Sequence, residues 1–187
     1  FQAGVTHSGT DGLSVCRNNV DATVYTMSGA RGRVDGGGWG TVLTGSRSDL
    51  SGVDCIMSNL ATLGQNTLGA VSGGGRPVFS GLYNPGGGGD NYGIYTHNAN
   101  DTLILGCITA TRRAEAGDRV RTIGCYFDVV AGSFNAGEDD WVDTGNIQQA
   151  GHGTLNATAD NHVIVGNRLD GAPTDSAGTS TITANDL

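Results

Sequence analysis

The groups in this chain that could move a proton or hold an ion are carboxylates, imidazoles and guanidiniums. The densest set is Gly137-Glu-Asp-Asp140-Trp-Val-Asp143, with Gly151-His152-Gly153 just after it. Paired carboxylates with a histidine nearby are the residue types of general acid–base work. Asp139, Asp140 and Asp143 also offer oxygens to a hard cation, but their spacing is not that of a calcium loop. Arg112, Arg113, Arg119 and Arg121 form a basic cluster around the corner Ala114-Glu-Ala-Gly-Asp118. Such cations could neutralise a uronate carboxylate while a base abstracts the neighbouring proton. Pairing with Glu115 and Asp118 at the surface is the simpler expectation. Trp39, Tyr83, Tyr92, Tyr95 and Trp141 lie beside glycine-rich or acidic corners, where exposed rings could stack on sugar faces.

Other chemistries lack their residues. His7, His97, His152 and His162 include no H-x-x-x-H pair, so no metal site is expected. There is no Gly-x-Ser-x-Gly elbow, and no glycine run is followed by Lys-Ser/Thr, so neither a hydrolase nucleophile nor a phosphate loop is expected. No cofactor is implied. The formal net charge is −8, and all ten basic residues are arginines. That balance argues against nucleic acid and against an anionic membrane surface as partners. No apolar run is long enough to span a bilayer. The first residue is Phe1 rather than Met, so the chain is expected to be processed or a fragment.

The elements that must position these groups are short strands. At 187 residues, one domain over 1–187 is the expectation. Thirty-three glycines and three prolines, without a Gly-X-Y period, exclude collagen. Alternating β-branched runs recur between Gly, Asn, Asp and Ser corners, and helical periodicity is absent. One phrase repeats: Asp101-Thr-Leu-Ile-Leu-Gly-Cys-Ile-Thr-Ala-Thr111, then Val120-Arg-Thr-Ile-Gly-Cys125-Tyr-Phe-Asp128, then Asn161-His-Val-Ile-Val-Gly-Asn167-Arg-Leu-Asp-Gly171. Looser versions surround Cys16 and Cys55. A coil of roughly 18–22 residues fits the spacing of these anchors. Three of the four cysteines are expected at matching inward places, with Cys107 and Cys125 one coil apart as buried thiols rather than a disulfide. Val71–Pro77, Gly36–Trp39 and Tyr83–Asp90 read as glycine-rich excursions from the coil.

The phrase ending Asn161–Gly171, with those around Cys107 and Cys125, resembles a rung of the right-handed parallel β-helix of pectate lyases, polygalacturonases and phage tailspikes. The resemblance implies an all-β, single-stranded solenoid of about eight or nine coils, with a β-sandwich or jelly roll as the runner-up. The acidic segment resembles the Asp-Asp and Gly-His-Gly elements of polygalacturonases. On that resemblance, Asp139 and Asp140 would be the catalytic carboxylates and His152 the assisting imidazole of an inverting hydrolysis. The Asn-Thr-Asp and Arg-Ile-Lys elements of that family are not found here. The expectation is therefore a non-catalytic structural protein of a virion or extracellular surface, such as a phage spike, fibre or decoration protein. It is expected to be a homo-trimer that meets other surface proteins and contacts host polysaccharide. A polysaccharide-degrading enzyme and a self-assembling filament protein are the alternatives.

Overall fold

The structure, a computed structural model, describes residues 5–7, 15–20, 25–27, 31, 33–39, 47–49, 54–59, 61–62, 67–70, 75–84, 94–97, 99–109, 112–115, 118–127, 140–148, 156–157, 160–169, 171–175 and 178–186. Among them there is no helix, and every strand pairing is parallel. A sandwich would need antiparallel hairpins, so the runner-up architecture falls.

Three stacks of strands make the wall. On the first face lie β2 (Val15–Val20), β4 (Arg33–Trp39), β6 (Ile56–Ser58), β9 (Val78–Ser80), β12 (Leu103–Leu105), β15 (Arg121–Ile123), β17 (Val142–Thr144), β20 (Val163–Val165) and β22 (Thr181–Thr183), each pairing with the next. The second holds the end of β4, then β7 (Ala61–Thr62), β10 (Tyr83–Asn84), β13 (Ile108–Thr109), β16 (Tyr126–Phe127) and β18 (Ile147–Gln148). Single bridges carry it on through Arg168 to Asp186. The third holds β1 (Val5–His7), β3 (Tyr25–Met27), β5 (Arg47–Asp49), β8 (Thr67–Ala70), β11 (Ile94–His97) and β14 (Arg112–Glu115). The pair β19 (Asn156–Ala157) and β21 (Thr174–Asp175) takes the corresponding place in chain order in the later turns. The chain visits the faces in rotation and returns beside its previous strand, which makes it a parallel β-solenoid.

Two corners bracket the strands of the first face from β6 to β20. On the entry side, Arg31, Asp54, Arg76, Asp101, Arg119, Asp140 and Asn161 all have φ between 57° and 60°. The exit corner has positive φ at Gly36, Asn59, Gly81, Gly106, Gly124, Gly145, Gly166 and Ala184. Glycine suits the exit corner for its backbone alone: a Cβ at Gly106, Gly124 or Gly166 would meet nothing within 4 Å. These bends split the repeated phrases Asp101–Thr111 and Val120–Asp128 into β12/β13 and β15/β16. Gly36–Trp39, expected as an excursion, is instead part of β4, whose first half pairs with β6 and second half with β7. Ala114 and Glu115 likewise belong to β14, paired with Thr96 and His97, rather than to a corner. Residues 71–74 and 85–90 of the other two glycine-rich segments lie outside the described residues.

Alternation along the first face decides what points inward. Registers align Met57, Phe79, Ile104, Thr122, Asp143 and Ile164, and all six are buried. Cys55, Thr102, Val120, Trp141 and His162, two residues earlier, make a second buried column. Leu82, Cys107, Cys125, Asn146 and Asn167 fill a third column, just past the exit corner. The turn length is 18 residues between Cys107 and Cys125, 21 from Cys125 to Asn146 and 21 from Asn146 to Asn167. Only Cys107 and Cys125 share a column. Cys16 pairs with Val34 in the Met57 column, and Cys55 belongs to the column of Trp141. Three cysteines in one place was therefore an over-reading of the repeat. Cys55, Cys107 and Cys125 are buried free thiols.

Candidate functional site

The acidic segment is divided by the wall. Asp140 sits on the entry corner, exposed. Its N–H donates to the Asp160 carbonyl at 2.9 Å, and its Oδ1 accepts from Asn161 Nδ2 at 3.2 Å. Asp143, three residues on, lies in β17 with its side chain in the interior. The two carboxylates face opposite sides of one strand layer, so they do not converge on a cation. Asp139 and His152 lie outside the described residues. Of the three residues that the polygalacturonase resemblance implies, Asp140 alone has a described place.

Inside, Asp143 Oδ2 is 2.8 Å from His162 Nε2, and both side chains are almost fully buried. The Trp141 ring meets the His162 ring edge-on, with centroids 6.1 Å apart. His162 Nδ1 is buried with no hydrogen-bond partner. This arrangement looks like half of a catalytic constellation, but it is sealed from solvent and acts as an internal strut. Trp141, expected as a sugar platform, is 0% exposed and cannot reach a glycan. Its place two residues before an inward Asp puts it on the same, inner side of the strand.

Of the other expected sugar contacts, Tyr83 is 44% exposed. Trp39 and Tyr95 are placed in β4 and β11, and Tyr92 lies outside the described residues. Tyr83 is in register with Ile108, Tyr126 and Ile147 on the second face. Ile108 and Ile147 are also exposed, as is Leu105 across the exit corner. The result is an apolar column running along the solenoid axis.

The entry corner carries charge. Reading up the column, Arg31, Asp54, Arg76, Asp101, Arg119 and Asp140 alternate in sign, and Asn161 follows. Arg76 Nε meets Asp54 at 2.6 Å, and Arg119 meets Asp101 through Nε at 2.6 Å and Nη2 at 3.1 Å. The Arg119 hydrogen bond holds the Asp101 carboxyl below the usual range, and Asp101 in turn raises the Arg119 guanidinium. The pairing therefore runs between turns, whereas the sequence suggested pairing within one corner. Asp118 reaches Arg119 only at 3.9 Å. Arginine in a left-handed conformation is uncommon, and the cross-turn pair is what each gains there.

These side chains border a groove of about 440 Å³ on the first face, lined by Arg76, Val78, Asp101, Thr102, Leu103, Arg119 and Arg121. Sequence reasoning named Arg119 and Arg121 but missed Arg76, which is 43 positions from Arg119 in the chain and two turns from it in the fold. A test for opposite charges one coil apart would have found the pairs. Among the described residues no three His, Cys, Asp or Glu side chains gather as metal ligands, and no helix is long and apolar enough to cross a membrane. No family model, no curated protein and no solved structure matches the chain.

Proposed function

We propose that the chain is a non-catalytic structural protein of a virion or extracellular surface, a shaft whose copies associate as a trimer and which contacts host polysaccharide. The observation that carries this reading is the apolar column of exposed Tyr83, Ile108 and Ile147 and half-buried Tyr126, with exposed Leu105 beside it. Contiguous apolar surface on a rigid sheet suits burial against another protein face. The second support is the wall itself. Its described interior is filled by side chains, and its outer corner is tied from turn to turn by ion pairs.

Sedimentation equilibrium tests the assembly. The expected particle has three times the 19.0 kDa chain mass, and Ile108→Arg combined with Ile147→Arg should return it to one chain. A wild-type particle of one chain overturns the trimer. Incubation with acidic polysaccharides tests the absence of catalysis. New reducing ends or unsaturated uronates that vanish in Asp140→Asn would restore the enzyme reading.

A further inference from the structure

The groove on the first face includes one guanidinium, that of Arg121, outside the ion pairs of its corner. Of its lining, Arg76, Arg119 and Arg121 are cationic and Asp101 anionic. Arg76 is engaged by Asp54 and Arg119 by Asp101. Among the described residues no carboxylate closes on the exposed Arg121 within ion-pair distance. Asp118 also approaches Arg119, at 3.9 Å, so the carboxylates around the groove balance its other arginines and Arg121 is the guanidinium left to meet a ligand. Beside Arg121 in the same column, Leu103 and Val78 follow on successive strands, half-exposed, as an apolar ledge. Arg76 and Arg119 stand two strands apart on the entry corner, about 10 Å at the spacing of paired strands.

We propose that this groove binds an acidic glycan, with Arg121 pairing a uronate or sulfate group and the Val78–Leu103 ledge carrying the apolar face of the adjoining sugar. The inference rests on the polysaccharide contact in the function proposed above and names its ligand class and place. A guanidinium offers a planar fork of donors to a carboxylate or sulfate, whereas an aliphatic ledge offers nothing to a free ion. The ledge therefore favours an acid attached to a ring over a simple anion. Alternation along the corner adds a spacing rule. Asp101 stands between the two paired arginines and opposes an acid at that turn, whereas Arg76, 62% exposed, keeps N–H donors beyond the two it gives Asp54 and can meet an acid two turns from Arg121. A polymer with its acid on every second sugar fits better than one with an acid on every sugar.

Titration of the trimer with three probes decides the matter: hyaluronan oligosaccharides, with one acid per disaccharide; oligogalacturonate, with one acid per sugar; and neutral dextran oligosaccharides. Hyaluronan should bind more tightly than oligogalacturonate, and its affinity should fall with added salt. Arg121→Gln should weaken hyaluronan about tenfold, as loss of a charged hydrogen-bond partner implies. Arg121→Lys should retain most of the affinity, and Arg168→Gln, exposed on the second face, should leave it unchanged. Circular dichroism should confirm that each variant is folded. Equal hyaluronan affinity in Arg121→Gln and wild type overturns the site. Binding of dextran but of neither acidic probe overturns the ligand class while leaving polysaccharide contact standing, and binding of none removes both.

Discussion

The turns from Met57 to Cys107 and those from Trp141 to Asn185 share one backbone and fill it differently, the later ones with many more polar side chains beside Trp141, Ile164 and Leu169. In the earlier turns the inward positions are mostly apolar, among them Met57, Phe79, Leu82, Ile104 and Cys107, with Ser58 and Thr102 as small polar exceptions. In the later turns they include Asp143, Asn146, Gln148, His162 and Asn167. The polar filling is ordered by the coil. Cys125 N–H donates to Asn146 Oδ1 at 2.9 Å, Asn146 N–H to Asn167 Oδ1 at 2.9 Å, and Asn167 N–H to Asn185 Oδ1 at 3.0 Å. Each of those asparagines also donates from Nδ2, to the carbonyl of Thr122, Asp143 and Ile164 respectively. The turn at Cys107 uses the same slot with sulfur, its N–H directed to Cys125 Sγ at 3.5 Å. A parallel coil therefore accepts polar interior side chains where the stacked turns supply their partners, as they do for the asparagines, and His162 Nδ1 is the exception.

The largest expected effects set the two fillings against each other. Phe79→Ala should lose about 3–5 kcal/mol through the cavity it leaves. Asp143→Ala should lose a similar amount, about 3–5 kcal/mol, because His162 stays buried without its partner. Urea denaturation of the double variant Asp143→Leu with His162→Leu sharpens the contrast. If polar and apolar fillings are interchangeable, it should return to within about 2 kcal/mol of wild type. A double variant as unstable as Asp143→Ala would show that the later turns depend on the pair itself.

Smaller effects probe the corner. Asn146→Ala removes the acceptor of the Cys125 amide and the donor to Thr122, for an expected loss of about 2 kcal/mol. Hydrogen exchange should show the Cys125 amide losing protection ahead of its neighbours. Gly124→Ala should cost about 1 kcal/mol, from backbone angle alone because the space is open. Ala184→Gly should gain a similar amount at the equivalent corner of the last turn.

Titration separates core from rim. The hydrogen bond with Cys125, together with burial, pushes the Cys107 thiol well above its ordinary 9.0. A folded-state pKa raised this way gives stability that is full below about 9 and declines as pH rises and the unfolded thiol ionises. Native protein should leave Cys107 unmodified by a thiol reagent at pH 8, and unfolding should expose it. At the rim the sign is opposite. The lowered Asp101 carboxyl contributes above its ordinary 3.8, and that contribution fades as pH falls through the depressed value. Arg119→Asn should give the smallest change in melting temperature of all, because an exposed, salt-screened pair is lost while a left-handed strain is relieved. A large loss that high salt does not diminish would mean the corner column bears more of the stability than its exposure implies.

How far the sequence was readable follows from which residues mark the repeat. The glycines at 106, 124 and 166 announce the exit corner, because their spacing shows where the chain must bend. That made the parallel coil and the Cys107–Cys125 stacking legible. The entry corner was hidden, because Arg31, Arg76 and Arg119 occupy a conformation that turn chemistry assigns to glycine or asparagine. Asp139–Asp143 read as one acidic loop, whereas strand parity sends Asp140 out and Asp143 in. Trp141 was misread for the same reason. Its neighbours are charged, and without the register a buried ring beside carboxylates looks like an exposed one.

The asparagine relay has a direction. Asn146 and Asn167 each close an amide of the turn before and depend on the turn after for the closure of their own. Peeling away one turn therefore exposes a raw donor on its predecessor, which loosens in its turn. Under a steady pull or a processive protease, the hydrogen-bonded end should come apart in sequential steps of one coil each, while the greasy end gives way all at once.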